Sequence, residues 1–253
     1  MQPDSAFAYA QARLQARLGA RPDDADWRRL QGVREFAPLL ETARATPLQP
    51  WIDHLGAGDG VHPLELSLRR RLVAVTEETA GWLPQAWRPA VRWAGWLPYL
   101  PALHYLLRGE PSPGWMGQDP ALAPYLAGTA EERLAAMKAG ALAPLAAAWE
   151  QDRPLREGWI EGWRRLWPRH PSPAPLEALI DLVRAHLSVF ADTPPEQAND
   201  ARARFEEALR GHFRRDLFHP AAAFAYLALT ALDAERVRAA LVQRLLFPLG
   251  EAP

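Results

Sequence analysis

Apolar residues recur every three to four positions along most of this chain, and nowhere do they alternate with polar ones over a sustained run. That spacing marks the buried stripe of a helix. Phe7, Ala10, Leu14 and Leu18 predict a helix over Ser5–Leu18, closed by Gly19. The acidic stretch Pro22–Asp26 starts a second, with Trp27, Leu30 and Val33 on one face, and Phe36–Ala43 continues the phase. Thr46-Pro47 reads as another helix start, since proline suits the first helical position. After the flexible loop Gly56–Gly60, His62-Pro63 opens a long helix through Leu64, Leu68, Leu72 and Val75 to about Trp82.

From Leu83 to Arg108 the pattern changes. Pro84, Pro89, Pro98 and Pro101 punctuate a Trp-rich amphipathic stretch, which predicts short helices joined by tight corners. Gly109–Pro120 holds three prolines and three glycines in twelve residues and reads as a linker, dividing the chain into helical regions at 1–109 and 121–253 that are expected to pack as one body. Thr129, followed by Glu131 and Glu132, caps a helix to Met137. Helices follow near Leu142–Trp149 and Leu155–Trp167, then a second linker at Pro168–Pro175. Leu176–Phe190, Pro195–Phe213 and Ala221–Phe247 close the chain as three helices, with a candidate turn at Asp233 in the last. The fold class is therefore all-α, a multi-helix array of short helical hairpins.

Composition narrows the chemistry. With 49% hydrophobic residues the chain can bury a sizeable core, and a net charge of −1 gives no basic surplus for nucleic acid or an anionic membrane. Cysteine is absent, so disulfides, thiolate metal sites and cysteine nucleophiles are excluded. No signal-peptide pattern opens the sequence and no run of eighteen apolar residues occurs, so a cytoplasmic location is expected. Lys138 is the only lysine among 29 basic residues; with 25 prolines, this is the bias of a GC-rich coding sequence. The 11 tryptophans call for a further cause, and buried anchors supply one.

Candidate reactive groups are few. His54, His62 and Glu65 cluster near the glycine loop, but their spacing matches no familiar ligand set, and they read as capping and surface residues. His170, His186, His212 and His219 are scattered. Gly56–Gly60 is followed by no lysine and preceded by no strand, unlike a phosphate loop. Neither Glu65 nor Glu177 begins the Glu-x-x-His element of a di-iron bundle. Glu77-Glu78 and Glu206-Glu207 are adjacent on helices, so each pair diverges by about 100° and reads as a solvated face. No catalytic, cofactor or metal residue is assigned.

Interaction residues are easier to nominate. Trp159, Trp163 and Trp167 share one helix face, a stripe that serves as core when buried and as a docking surface when exposed. Arg69, Arg70 and Arg71 lie in an otherwise apolar helix and are candidates to face an acidic partner, against the plainer reading of a solvated face.

Three segments resemble one known family. Phe7-Ala8-Tyr9-Ala10-Gln11-Ala12-Arg13-Leu14 is similar to the opening helix of the central-stalk subunit of rotary ATPases, called C in bacteria and archaea and d in eukaryotic V-type enzymes. Trp96–Gly109, ending Leu103-His104-Tyr105-Leu106-Leu107-Arg108-Gly109, resembles its internal Asn-Leu-x-x-Leu-Leu-Arg element, with Ala102 or Leu103 where the family has Asn. Ala225-Tyr226-Leu227 followed by Glu235-Arg236-Val237-Arg238 resembles its closing helix. The segments fall in the family's order along most of the chain, although the chain is shorter than typical members. The resemblance implies a pseudo-repeated, funnel-like array of helices. It would couple the membrane rotor ring to the rotating shaft, carry no chemistry, bind no cofactor or nucleic acid, and meet the inner membrane only through its partners. It makes His104, Tyr105 and Arg108 the best-matched motif positions. Two other expectations stand beside it: a module binding one soluble partner through a Trp/Arg surface, and a helical enzyme or cofactor binder with His104 and Tyr105 lining a pocket.

Overall fold

The structure, a computed structural model, describes residues 3–169 and 172–247. Among them the chain is all-α, with helices α1 (Pro3–Gly19), α2 (Asp24–Gln31), α3 (Phe36–Arg44), α4 (Gln49–Ile52), α5 (Val61–Trp82), α6 (Arg88–Trp93) and α7 (Leu100–Leu107). They are followed by α8 (Ala130–Ala139), α9 (Ala143–Glu150), α10 (Leu155–Arg165), α11 (Ala174–Asp192), α12 (Ala198–Arg215) and α13 (Pro220–Leu246). Short 3-10 turns at Gln85–Trp87, Ala94–Tyr99, Gly114–Gln118, Ala123–Tyr125 and Pro195–Gln197 supply the corners between them. No described residue is in a strand.

Local chemistry explains most boundaries. Asp23 accepts from the amides of Ala25 and Asp26 while Asp26 reaches back to the Asp23 amide, a reciprocal cap that starts α2. Thr129 and Glu132 make the same exchange at the start of α8. The start expected at Thr46-Pro47 comes at Gln49 instead: the Thr46 hydroxyl donates to Ala43 O and accepts from Leu48 N, which holds Thr46 in the turn after α3. The turn expected at Asp233 is absent. Residues 220–246 form one continuous helix, and Asp233 lies on its buried side.

The chain groups into two compact units, one made of residues 1–91 and 170–253, the other of residues 92–169. The second boundary falls in the proline-rich stretch expected as a linker. The first does not fall at 110–120 but within α6. Residues 110–120 are held inside the second unit: Met116 is buried, and the buried carboxylate of Asp119 accepts from Tyr99 Oη at 3.3 Å and from Ala121 N at 3.2 Å. Proline and glycine there shape a packed corner rather than a spacer.

In the first unit α13 is the central element, packing against α1, α3, α5, α11 and α12. Its Ala234, Val237 and Leu241 join Trp27, Leu30, Leu39, Leu40, Leu48, Ile52 and Leu64 in one buried cluster. Each fully buried leucine or isoleucine there contributes about 1.5–3 kcal/mol. Arg236 lies 4.3 Å over the Trp27 ring, and Arg244 donates through Nε and Nη2 to Val33 O, so long cations of α13 seal the cluster's edge. Arg133 plays the comparable part in the second unit. Its buried guanidinium donates to the carbonyls of Leu106, Glu110 and Leu126, compensating the C-terminal end of α7.

The α11–α12 hairpin carries a pH-sensitive contact. His186 stacks flat on Phe205 with ring centroids 4.0 Å apart. Burial, reinforced by Arg202, holds the imidazole below the usual histidine range. The unfolded chain therefore takes up this proton first, and stability falls as pH drops through the unfolded value of about 6.5. We expect Tm to decrease between about pH 7.5 and pH 5.5, with a smaller decrease in His186→Phe, measured as thermal unfolding across that range. Equal slopes for the two proteins would refute the assignment.

Candidate functional site

Trp93, Trp159 and Trp163 of the second unit are core. In α10, Gly158 and Gly162 stand one turn apart and allow close approach of α9 and of Trp93. A Cβ on Gly158 would lie 2.5 Å from Pro144 O, and one on Gly162 would lie 2.6 Å from the Trp93 ring. Into this close-packed site Trp159 and Trp93 exchange hydrogen bonds. Trp93 Nε1 donates to Trp159 O at 2.9 Å, and Trp159 Nε1 donates to Trp93 O at 3.1 Å. Each indole N–H is thereby satisfied inside an apolar interior. Trp159 and Trp163 are only 7% and 3% exposed and stack on each other, with Trp167 edge-on beyond. The stripe is therefore no docking surface at Trp159 and Trp163, because both rings are used up in packing.

His104 and Tyr105 on α7, and Arg108 at its C-terminal cap, lie in the same unit and do not converge. His104 is exposed, its ring edge-to-face with Trp149 at 5.4 Å. Tyr105 donates its hydroxyl to Pro111 O at 3.2 Å, and Arg108 is exposed and 3.8 Å from Glu110. Tyr105 thus fixes the corner after α7, and only His104 and Arg108 of the three face solvent fully.

The three arginines of α5 are likewise divided. Consecutive helical residues are about 100° apart. Arg69 is buried, Arg71 half-buried and Arg70 exposed. Only Arg70 of the three is exposed, and the expected three-residue patch does not exist.

The strongest polar constellation in the first unit was invisible to motif reading. Arg21 donates to Asp233 from Nε at 2.6 Å and from Nη2 at 2.8 Å, and also to Glu206 Oε1 and Leu229 O. Arg210 approaches Glu206 from the other side at 2.8 Å. The side chains of Arg21 and Asp233 are 8% and 9% exposed. Burial pulls the Arg21 guanidinium down, but Asp233 and Glu206 outweigh it and hold it above its usual value. Burial also pushes the Asp233 carboxyl up against the opposing pull of Arg21. The two directions disagree on whether the pair favours its charged form. Geometry decides: both Asp233 oxygens accept from a group that can only donate, so the carboxylate is ionised. Glu206 loses less to burial than it gains from Arg210 and Arg21, and stays below the usual carboxylate range. The legible trace in the sequence was an aspartate in a run, Phe224–Ala234, that is otherwise apolar but for Thr230 and the Tyr226 hydroxyl.

Other candidates separate. Glu65 is bound to Arg238, while His54 and His62 are exposed. His212 pairs with Asp216 and His219 caps α13 at Ala221 N, whereas His170 lies outside the described residues. Glu206 and Glu207 point to different partners, Arg21 and Arg214, as adjacent helical positions require. Among the described residues no three His, Asp or Glu side chains are grouped to hold a metal ion, and no helix is long and apolar enough to cross a membrane. Comparison with protein-family models, curated proteins and solved structures finds no match.

Proposed function

We propose that this chain is a non-enzymatic helical adaptor similar to the central-stalk subunit of rotary ATPases, coupling a membrane rotor ring to its shaft. One observation carries the reading. Two of the three segments that bear the resemblance, Phe7–Leu14 and Ala225–Arg238, lie on α1 and α13, which pack side by side in one unit although more than two hundred residues separate them. Phe7, Ala10 and Leu14 and, opposite, Ala225, Tyr226 and Leu227 are buried. Gln11 accepts from Phe218 N just before α13, and Arg21 clasps Asp233 within it. A pattern shared by distant ends of a chain has a physical reason to persist when those ends form one core. The pseudo-repeated funnel belongs to this reading.

A second reading, an adaptor for one soluble partner, is favoured by Leu187, Val189 and Phe190, which are 43%, 52% and 37% exposed near the end of α11. Capture of the tagged chain from its native cells in mild detergent separates the two. Rotor-ring or shaft subunits in the eluate are the expected result. A single soluble partner without ATPase components, or a bare monomer, would overturn the stalk reading.

A further inference from the structure

We propose that the depression lined by His104, Trp149, Asp152, Arg153 and Pro154 binds the head group of an organic cation, alkylammonium or guanidinium. The depression belongs to the second unit and encloses about 210 Å³.

Asp152 is the first ground. Helix α9 stops with the amide of Asp152 bonded to Trp149 O at 3.0 Å and that of Arg153 to Ala148 O at 2.9 Å, which places Asp152 in the left-handed region at φ 54°. Glycine is the residue that occupies this position without strain. An aspartate there also sets a negative charge beside the last carbonyls of a helix, the wrong end of its dipole. Its side chain is exposed, and no donor or cation among the described residues holds the carboxylate. The exposed carboxylate is thus left to solvent or to a cation that enters the depression.

Its surroundings fix the chemistry. The half-buried Trp149 and the exposed His104 meet edge-to-face at 80°, so two aromatic rings form a corner in the depression that Asp152 also lines. An aromatic wall next to an anion is complementary to an organic cation and not to a phosphate. The one cation in the lining, Arg153, is already engaged by Glu161 and by Gln151 Oε1 at 3.2 Å. Neighbouring Glu150 is paired with Lys138. Asp152 is the charge left over.

The test is a titration of the full chain followed at the Trp149 indole N–H by ¹⁵N NMR, the peak being assigned with Trp149→Phe. Probes are Nα-acetyl-arginine amide, Nα-acetyl-lysine amide and agmatine, with Nα-acetyl-citrulline amide as the neutral control. We expect saturable shifts with millimolar Kd for the cations, none for the citrulline compound, and about fivefold weaker binding in Asp152→Asn. Asp152→Gly keeps the fold and loses the binding, which separates the carboxylate's role from the helix stop. Tighter binding of the amino-acid amides than of agmatine identifies a protein side chain as the source of the cation; the reverse identifies a free amine. No saturable shift, an unchanged Kd in Asp152→Asn, or a shift with inorganic phosphate instead would overturn the proposal.

Discussion

Asp233→Ala lowers the stability of the first unit by about 3–5 kcal/mol, because it leaves the Arg21 guanidinium buried without its main counter-charge. Arg21, at 8% side-chain exposure, has no room to turn into solvent, and Glu206 at 3.2 Å is too distant and too exposed to replace a two-pronged contact. The expected signature is a fall in Tm of about 10 °C by circular dichroism. Arg21→Met combined with Asp233→Leu is expected to recover most of the loss, since an ion pair taken out of water gains little over apolar packing of similar volume. Burial works against the charged form of both partners, pulling Arg21 down and pushing Asp233 up, which points the same way. A single variant within about 1 kcal/mol of the parent would mean that water reaches Arg21 and that the pair is a surface contact in energetic terms.

The second large effect is in the other unit. Gly158→Ala places a methyl group 2.5 Å from Pro144 O, 2.8 Å from Ala148 Cβ and 3.0 Å from Leu145 Cα. None of these atoms can swing aside, so α9 and α10 must separate. We expect a net loss of about 2–3 kcal/mol even after the gain of about 1 kcal/mol in helix propensity. Gly211→Ala in α12 is the internal control, since a Cβ there meets nothing within 4 Å and only the propensity gain remains. Amide exchange locates the damage: protection should fall across α9 and α10 in Gly158→Ala while that of α13 is kept. Uniform loss of protection through the whole chain would show that the two units unfold as one.

What sequence reading captured is what short-range chemistry controls. The acidic start of α2, the cap at Thr129, the apolar stripe of α3 and the broken helices between Leu83 and Arg108 all depend on residues within a turn or two of one another. The errors have one cause as well. Asp233 reads as a turn residue among apolar neighbours until Arg21, 212 positions away, is brought to it. Pro and Gly at 110–120 read as a spacer until Asp119 meets Tyr99. Arg69 to Arg71 read as a patch or a solvated face until the packing of their helix is known; its rotation sends one of them inward. For the candidate site, His104 stood out from the sequence, but Asp152 did not. An aspartate after a helix is unremarkable until its backbone angle is known.

The division of the chain also bears on the order in which it is made. The second unit is a contiguous stretch of 92–169, whereas the first needs α13 to complete a core begun by α1, α3 and α5. During synthesis those early helices emerge with their apolar faces bare, and the inserted unit has all its residues before α13 exists. The early helices thus spend the translation of well over a hundred residues without the strut that covers them, exposed to chaperones and to like chains on neighbouring ribosomes. Nascent chains of this protein should therefore be hardest to keep from aggregating not at the start but just before α13 leaves the exit tunnel.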